Sequence, residues 1–421
     1  MPPKFYAQIA YNDPYVQPLI ESALSSRLPP TTYKLISTLP TPLDLPVLQF
    51  LQYEDLAFEL ALTRNDVLIN AYVIRKALLR KHFLNATVVQ WAAKHPQSVL
   101  RRHVKVAVEL EVDYAEYLDE ALAEAYELRE SLEGNEDKGE GEREWWILKP
   151  SMADRAHGVR LFGSEEELRG IFEGWEADMP DSDEEEEDDE EVKGQTLVGA
   201  GKEVVYASQL RHFVAQLYIH PPLLLPSAEG RKFHVRTYVL SVGALKVYVY
   251  RPMLALFAAG KYVAPGESLD LRVHLTNTCV QGTDVREGSV RRFWELEEKV
   301  EGIEGDWKEK AWAQICVVTG ELFEAAGRNM LVNFQAVPSS FEIFGLDFLV
   351  DQTGTAWLLE VNAFPDFKQT GDDLKDVVQG LFEDTVDVAI KPFFSEPREE
   401  PPKTLESGRM VQVLDIDLGR R

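Results

Sequence analysis

The sequence predicts a mixed α/β protein of several domains in which antiparallel strands carry the functional residues. The first observation is a late hairpin pattern: two apolar, β-rich runs, 345–351 and 357–362, flank a turn that contains Gly354. The second is the alternation of polar and apolar residues over 231–240, followed after a short turn by a partner strand. The third is the helical spacing of apolar residues over 307–329. Such strands and helices pack together to bury their apolar faces.

The composition is that of a folded chain with a strongly acidic balance. Of its 421 residues, 45% are hydrophobic, which is enough apolar material for several packed domains. The net charge of −27 disfavours nonspecific binding to nucleic acid or anionic membranes. Two cysteines are too few for a disulfide framework and indicate a reducing compartment. No apolar run resembles a signal peptide or a membrane span, so a cytosolic or nuclear protein is expected.

Local signals predict the elements in chain order. The N-terminal part is typical of a small α/β unit, with strand 5–11, helix 15–27 and strand 33–37. From residue 70 the spacing is helical with a basic polar side, for which a solvated helix face is the simplest interpretation. The elements predicted after it are helix 114–132, strand 145–151, helix 165–175, strands 212–219, 231–240 and 245–251, and helices 307–329 and 373–392. The segment 411–418 is predicted as a lone strand that could join the sheet edge of a partner protein.

The late hairpin is predicted to hold a metal ion. If Val350 pairs with Thr355, the apolar side chains of both strands share one face, because side chains alternate across a strand. These side chains are Leu346, Phe348, Val350, Trp357, Leu359 and Val361. The other face carries Asp347, Glu360 and Asn362, with Asp347 as a diagonal neighbour of Glu360. Two carboxylates and an amide suit Mg²⁺, which usually shares its ligand shell with substrate phosphates. The alternative is a solvent-facing strand with scattered carboxylates.

Two further strands place basic residues where an anion could bind. The apolar strand that ends at Pro150 delivers Lys149, and a lysine on a buried strand needs an anionic partner such as a phosphate. On the alternating strand, Lys232, His234 and Arg236 share one face. Three potentially basic residues in alternation predict an anion platform, with a solvated strand face as the alternative.

An uninterrupted acidic run from 184 to 191 breaks the pattern of ordered elements. Such a run repels itself, so it is predicted to be a disordered, solvated insertion. A second interpretation is that the strip 181–191 occupies the basic groove as a tethered mimic of an acidic substrate tail. A short tether gives a high effective concentration, so weak affinity would suffice.

Seven blocks in a fixed order resemble the tubulin–tyrosine ligase family of the ATP-grasp superfamily. They are WILKPS (146–151), AQLYIHPPLLL (215–225), RKFHVRTYVL (231–240), YR (250–251), HLTNTCVQ (274–281), GLDFLVD (345–351) and WLLEVNAFP (357–365). They cover residues 145–390, and before them only RKALLRK (75–81) looks similar. The block over 145–162 looks closest to fungal members associated with mRNA-decay (processing) bodies.

The resemblance implies a fold and a domain organisation. An ATP-grasp fold has two α/β lobes whose antiparallel sheets hold ATP between them, here preceded by a small N-terminal α/β domain. The implied bounds are 1–75 for the N-terminal domain, 76–228 for the central lobe with an acidic insertion at about 176–195, 229–394 for the C-terminal lobe with the metal site, and 395–421 for a tail. ATP and Mg²⁺ are the implied cofactors.

The resemblance also implies roles for individual residues. The implied ATP-binding residues are Lys81, Lys149, Arg155, Gln216, Leu217, Tyr218, Ile219, Lys232 and Asn277. Among these, the lysines would contact phosphates, and Gln216 with the backbone of the three residues after it would hold the adenine. The implied Mg²⁺ ligands are Asp347, Glu360 and Asn362, in agreement with the hairpin pattern. The implied catalytic residues are Glu360 together with Arg236 and Arg251, which would hold the acceptor carboxylate and the intermediate.

Three features depart from the family pattern. The phosphate loop is MADRAHG (152–158) instead of a Gly-rich segment, so Arg155 is expected to replace its lysine. His234 stands where the tubulin ligase has an aspartate that takes part in acceptor or ligand binding. Leu217 stands where a hinge lysine is usual. The metal residues and Lys149 are retained, so an ATP site is expected.

Two functions of different classes follow. The leading hypothesis is an ATP-dependent carboxylate–amine ligase that adds an amino acid, with tyrosine expected, to the C-terminal carboxylate of a tubulin-like acidic tail through an acylphosphate. The alternative is an ATP-binding scaffold or pseudoenzyme of cytoplasmic mRNA-decay bodies that binds decapping factors. A small-molecule peptide ligase of the glutathione-synthetase kind shares the fold, but the HLTN block points away from it. No direct nucleic-acid or membrane partner is expected, and the expected location is the cytoplasm, including processing bodies.

Overall fold

The computed structural model describes residues 2–153, 156–177, 205, 207–276, 288–370, 374–395 and 397–419. Within these ranges the strands form three sheets, two of four strands and one of seven. The acidic run 184–191 lies outside the described residues, as do two of the predicted ATP-binding residues, Arg155 and Asn277. Both interpretations of the acidic run therefore stay predictions.

The first sheet is parallel and is built from N-terminal residues. Its strands are β1 (Phe5–Ala10), β2 (Tyr33–Ile36), β3 (Val47–Leu51) and β4 (Val67–Ile69), in the order β2-β1-β3-β4. Helix α1 (Val16–Arg27) connects β1 to β2, and α2 (Phe58–Thr63) connects β3 to β4, because parallel strands need crossover connections. Leu19, Ile20 and Leu24 of α1 are buried against this sheet. The predicted strand–helix–strand start of the chain is confirmed.

The second sheet is antiparallel and carries Lys149. The basic helical stretch before it is divided at Arg80 into α3 (Lys76–Leu79) and α4 (Lys81–Lys94), and α5 (Leu100–His103) follows. The strands are β5 (Ala107–Glu111), β6 (Trp146–Pro150), β7 (Arg160–Phe162) and β8 (His212–Leu217), in the order β5-β8-β6-β7. The covering helices are α6 (Leu118–Glu124), α7 (Tyr126–Asn135), α8 (Glu165–Ala177) and α9 (Ala207–Leu210). The predicted helix 114–132 is thus two helices, interrupted at Ala125.

The third sheet is the largest and has a hydrophobic core on both faces. Its strands are β9 (Arg231–Val242), β10 (Lys246–Tyr250), β11 (Leu254–Lys261), β12 (Val290–Arg292), β13 (Phe341–Val350), β14 (Ala356–Ala363) and β15 (Met410–Asp415). Its helices are α10 (Leu271–His274), α11 (Trp307–Asn329), α12 (Lys375–Thr385) and α13 (Lys391–Phe393), with a π-helical turn, Val386–Ile390, between the last two. The long strand β9 is central: β11 and β10 pair with successive halves of one edge, and β13 pairs with the other. Helix α11 covers one face, while α1 and α12 pack on the other.

Helix α11 begins and ends at the predicted residues. It carries charged residues along its length, and no helix of the described ranges combines the length and the apolar character needed to cross a membrane.

The alternation predicted for β9 is confirmed. Phe233 and Val235 belong to the core beneath α11, while Lys232 and His234 point to the opposite face. These two polar residues are only 6% and 2% exposed, which excludes a solvated strand face as the reason for the pattern. We call the face of β9, β13 and β14 that carries Lys232 the site face.

The hairpin of β13 and β14 forms, but its turn is longer than predicted. Pairing begins with Val350 opposite Ala356, one residue later than the predicted partner. The cause is Asp351, whose Oδ1 accepts hydrogen bonds from the backbone N–H groups of Thr353 at 2.8 Å and Thr355 at 3.1 Å. A carboxylate that binds the backbone two and four residues ahead stabilises this wider turn.

The longer turn and a β-bulge together set the faces of β14. Because pairing begins one residue later than predicted, the side chains before the bulge take opposite faces, and the prediction that Trp357 and Leu359 lie on the apolar core face is wrong. The bulge after Leu358 shifts the register by one more residue, so Asp347 pairs directly with Glu360 and not diagonally. Leu358 is buried in the core instead, and Leu359 lines the site face.

The prediction that the C-terminal strand adds to a partner's sheet is also wrong. β15 pairs antiparallel with β10 of the same chain and forms the outer edge of the large sheet. Helix α11 packs closely against β15. The carbonyl oxygen of Val413 in β15 lies 2.8 Å from the position that a Cβ on Gly320 in α11 would take. The glycine permits this close approach between the helix and the strand.

Replacing Gly320 by Ala is expected to destabilise the protein by about 1–3 kcal/mol, because the new methyl group would displace β15. The matched control is Gly174→Ala in α8, where no atom lies within 4 Å of the added Cβ. There the change should stabilise the protein by about 0.5–1 kcal/mol, since alanine favours a helix more than glycine. Urea unfolding of both variants measures the difference, and equal stabilities would contradict the packing described for β15.

Candidate functional site

A cleft of about 930 Å³, open to solvent, lies between the second sheet and the site face of the third. Strands β6 and β8 contribute Lys149 and Gln216, β9 contributes Lys232, and the hairpin contributes its acidic residues. The predicted residues that line it are Lys81, Lys149, Gln216, Leu217, Tyr218, Ile219, Lys232, Asp347, Glu360 and Asn362. Two sheets thus gather residues that are far apart in sequence.

The hairpin brings the three predicted metal ligands together. Asn362 Nδ2 lies 3.4 Å from Asp347 Oδ2 and 3.4 Å from Glu360 Oε1. In the described ranges no three His, Cys, Asp or Glu side chains lie close enough to hold a metal ion by themselves, so the amide of Asn362 is needed. Two carboxylates and an amide are hard oxygen donors, which fit Mg²⁺ when phosphate and water complete the shell.

Arg236 is paired with one of these ligands. Its Nη2 donates to Asp347 Oδ2 at 3.1 Å and its Nε donates to Oδ1, across the pairing of β9 with β13. Burial acts to lower the pKa of Arg236, but the charge of Asp347 and its hydrogen bonds outweigh burial and hold the pKa above its ordinary value. If Arg236 holds the acceptor as predicted, its guanidinium has to bind the acceptor carboxylate while it stays paired with Asp347.

Two lysines line the cleft together with the predicted metal ligands: Lys232 is buried on the same sheet face as these ligands, and the partly buried Lys149 comes from the second sheet. Lys149 donates to Gln216 Oε1 at 2.7 Å, and Lys232 donates to the hydroxyl of Tyr218 at 2.9 Å. Burial lowers the pKa of Lys149 to about 8, although the charge of Glu360 acts to raise it. Burial, with a smaller effect of Lys149, lowers the pKa of Lys232 to about 7. An anion bound between the lysines would raise both pKa values again, because it stabilises their charged forms.

The affinity of the cleft for ATP is therefore expected to fall as the pH rises from about 7 to about 9. A lysine must be protonated to hold a phosphate, so binding takes up a proton wherever the pH lies between the pKa of the free and the bound lysine. The loss should reach about tenfold per pH unit for each lysine. Calorimetry in buffers of different ionisation enthalpy counts the protons, and Lys232→Met should remove the part that starts near pH 7. Binding without proton uptake would contradict the lowered pKa values.

His234 shares the cleft with these groups. Its Nδ1 is 2.6 Å from Thr276 Oγ1, and its Nε2 is 3.5 Å from Asp347 Oδ1, too far for a hydrogen bond. Burial and the charge of Arg236 lower the pKa of His234 to about 3, so the ring is neutral at physiological pH. The sequence counted His234 among three potentially basic residues of an anion platform, and the neutral ring adds no charge to that platform.

Two residues were missed as side-chain contributors. Tyr218 was predicted to act through its backbone, yet its hydroxyl accepts from Lys232 and lies 3.0 Å from His274 Nδ1. The other nitrogen of His274 lies 2.6 Å from the carbonyl oxygen of Ser268, which fixes the direction of the chain of hydrogen bonds. The first residue of the HLTN block was the available signal for His274. Lys81, in turn, donates to the carbonyl oxygen of Ala153 at 3.1 Å, at the start of the predicted phosphate loop.

Arg251 does not join the cleft, which corrects its predicted position. It follows β10 on the side of Val247 and Val249, whose side chains lie in the core beneath α11. Its guanidinium stacks 4.2 Å from the ring centre of Trp294 and pairs with Glu309. Arg251 thus lies on the face of the sheet opposite Arg236. Arg155 and Asn277 cannot be placed, since they fall outside the described residues.

Comparison with known proteins identifies the family. The model of the tubulin-tyrosine ligase family matches residues 62–398. The chain is 44% identical over 412 residues to the probable tubulin–tyrosine ligase C12B10.04 of Schizosaccharomyces pombe, with 96% of both chains covered. It is 38% identical over 418 residues to the probable tubulin–tyrosine ligase PBY1 of Saccharomyces cerevisiae. That match covers 95% of this chain but only 54% of PBY1.

A solved structure extends the similarity to the fold. The C-terminal domain of K. lactis Pby1 matches with a TM-score of 0.72 and 35% identity, over 98% of this chain and 99% of that one. That protein is described as an ATP-grasp enzyme that interacts with the mRNA decapping enzyme Dcp2. The similarity confirms the predicted ATP-grasp fold.

Proposed function

Because this chain belongs to the tubulin–tyrosine ligase family, we propose that it is an ATP-dependent carboxylate–amine ligase that adds one amino acid to the C-terminus of an acidic protein. The observation that supports this proposal best is that Lys149, Lys232 and the Asp347–Glu360–Asn362 set line one cleft. Tyrosine is the first amino acid to test, since two relatives are named probable tubulin–tyrosine ligases.

In this proposal the cleft binds ATP between its two sheets. Lys149 and Lys232 hold the phosphates by charge-assisted hydrogen bonds. Gln216 and the backbone of Leu217–Ile219 hold the adenine against the apolar wall that Ile147 and Leu275 belong to. Asp347, Glu360 and Asn362 would hold Mg²⁺, which offsets the negative charge of the phosphates when bound.

The proposed reaction has two steps, and atoms balance in each. An oxygen of the acceptor's C-terminal carboxylate attacks the γ-phosphorus of ATP, and ADP leaves, so the acceptor becomes an acylphosphate. The amino group of the incoming amino acid then attacks the acyl carbon, loses a proton, and inorganic phosphate leaves as the amide bond forms. The protein's part is to hold the reacting groups in line and to stabilise charge that develops during transfer.

The acceptor is proposed to enter beside Arg236, the cation on the site face nearest to the metal residues. With a net charge of −27, the chain as a whole repels an acidic tail, so the attraction has to be local to this cleft. Arg251 has no part in the proposal, because it lies on the other face of the sheet.

The direct test is incubation of the full chain with ATP, Mg²⁺, labelled tyrosine and detyrosinated tubulin, with Glu360→Gln as the blank. Label in tubulin, absent from the blank, is the expected result. If nothing is incorporated while ATP still binds, tubulin is rejected as the acceptor. A screen of the other amino acids against acidic C-terminal peptides then decides whether any ligation occurs. If no combination of amino acid and peptide releases ADP, the ligase proposal is rejected.

A second candidate function is supported by one observation, the described interaction of K. lactis Pby1 with Dcp2. In this proposal the chain is an ATP-binding scaffold of cytoplasmic mRNA-decay bodies that binds decapping factors. Pull-down with Dcp2 and cellular localisation of wild type and Glu360→Gln separate the two functions. A Glu360→Gln variant that keeps its partners and its cellular role would favour the scaffold, whereas loss of that role with partners retained would favour the enzyme.

A further inference from the structure

A chain of buried hydrogen bonds connects the ammonium group of Lys232 to the backbone on the far side of the cleft wall. Lys232 Nζ donates to the Tyr218 hydroxyl at 2.9 Å. This hydroxyl lies 3.0 Å from Nδ1 of His274, whose Nε2 lies 2.6 Å from the carbonyl oxygen of Ser268. The three side chains of this chain are each at most 7% exposed. The proposed function assigns a task to Lys232 but none to the side chains of Tyr218 and His274.

The proton positions in this chain follow from its end at Ser268. A carbonyl oxygen only accepts, so Nε2 of His274 carries a proton and donates to it. Burial lowers the pKa of His274, so the ring is neutral at physiological pH and Nδ1 is an acceptor. The Tyr218 hydroxyl therefore donates to Nδ1, and its oxygen lone pairs are left to accept from Lys232. Every bond in the chain has one direction.

The packing around His274 fixes this end of the chain, while Lys232 has no such support of its own. The imidazole meets the rings of Tyr218 and Tyr262 edge to face, with 5.7 Å between ring centres in both pairs. Lysine, in contrast, carries its ammonium on a flexible four-carbon stem. The position of the ammonium is therefore set by the hydroxyl that accepts from it, and the hydroxyl is oriented by His274.

We propose that His274 is a positioning residue for ATP, which acts through the Tyr218 hydroxyl to fix the Lys232 ammonium where a phosphate binds. Of the three N–H groups of Lys232, one donates to Tyr218, and the other two have no partner in the described part of the chain. These two are available for phosphate oxygens. A donor that is already fixed loses less side-chain freedom on binding. The inference rests on the proposed function only in that Lys232 holds a phosphate of ATP.

The test compares the affinity of the full chain for a non-hydrolysable ATP analogue with that for adenosine, which has no phosphate. His274→Gln can still donate to Ser268 but loses the acceptor for Tyr218. It is expected to weaken binding of the analogue roughly tenfold and to leave adenosine within about twofold of the wild type. His274→Asn carries an amide oxygen at the same number of bonds from the backbone as Nδ1, so it should recover most of the affinity.

Two further variants show whether the effect passes through Tyr218 and Lys232. Tyr218→Phe keeps the ring and is expected to give the same loss as His274→Gln. Its matched control is Tyr72→Phe, which removes a buried hydroxyl that bonds Ser241 at 2.8 Å away from the cleft; neither affinity should change. In a Lys232→Met background, His274→Gln should have no further effect on the analogue, because the group that it positions is gone.

The inference is overturned, and the proposed function stands, if His274→Gln binds the analogue like the wild type or loses affinity for adenosine to the same extent. A full effect of His274→Gln in the Lys232→Met background has the same meaning, because His274 would then act on the shape of the cleft and not on the lysine. If the wild type binds no ATP analogue at all, both the inference and the proposed function are rejected. Should His274→Gln not fold, Tyr218→Phe with and without Lys232→Met decides by the same criteria.

Discussion

A Glu360→Gln variant is expected to fold like the wild type and to lose ligase turnover by about 10²–10³-fold. The change keeps the size of the side chain and removes its charge. In the described part of the chain Glu360 forms no ion pair within 4 Å, and its one hydrogen bond comes from the Asn362 amide at 3.4 Å. The fold therefore depends little on this carboxylate, whereas the charge of the proposed metal-binding set depends on it directly.

Two measurements separate this effect from a general loss of structure. Initial rates of ADP release at saturating ATP report turnover, and thermal unfolding reports stability. Glu173→Gln on the exposed side of α8 makes the same chemical change far from the cleft and should alter neither. Turnover within about twofold of the wild type in Glu360→Gln would show that the hairpin does not hold the metal ion, and the ligase proposal would lose its main support.

The sequence predicts best where a local pattern decides the structure. The helix 307–329 has its predicted limits because Asp306 caps it and the apolar spacing is regular throughout. The face of β9 that carries Lys232 and His234 follows from strict alternation along β9, because the irregularity opposite Lys232 adds residues to β11 and not to β9. Both features depend on neighbours within a few residues.

The wrong predictions arise where one extra residue changes the face on which strand side chains lie, or where a residue distant in sequence decides the pairing of a strand. The turn is one residue longer than predicted, which inverts the faces of Trp357 and Leu358, and the bulge after Leu358 shifts the register again. A side-chain pattern does not reveal such extra residues. The partner of β15 is β10, some 160 residues earlier, and edge pairing over such a separation has no local signal. Arg251 was misplaced although its parity with Val247 and Val249 was readable in the sequence. The free nitrogen of His234 depends on Thr276 and Asp347, which only the folded chain brings to it.

An Arg236→Ala variant is expected to lower the free energy of unfolding by about 3–5 kcal/mol. Asp347 is 3% exposed, and the guanidinium of Arg236 donates to both of its oxygens. Removing the cation leaves a buried carboxylate whose remaining contact is the Asn362 amide at 3.4 Å, apart from the unbonded His234 nitrogen. Urea unfolding measures the loss, and the double variant with Asp347→Asn should recover part of it, because the neutral amide needs no counter-charge.

A matched arginine and a metal titration make this prediction specific. Arg251→Ala likewise removes a guanidinium, in this case one that stacks on Trp294 and pairs with Glu309. Because Glu309 is exposed, the loss in free energy of unfolding should be smaller than for Arg236→Ala. Mn²⁺ or Mg²⁺ should stabilise Arg236→Ala more than the wild type, because the cation then takes the place of the guanidinium at Asp347. Equal stabilisation of both proteins by the ion would mean that Asp347 is not a metal ligand. In that case the carboxylate of Asp347 serves only to hold Arg236, and the salt bridge between β9 and β13 has a structural role.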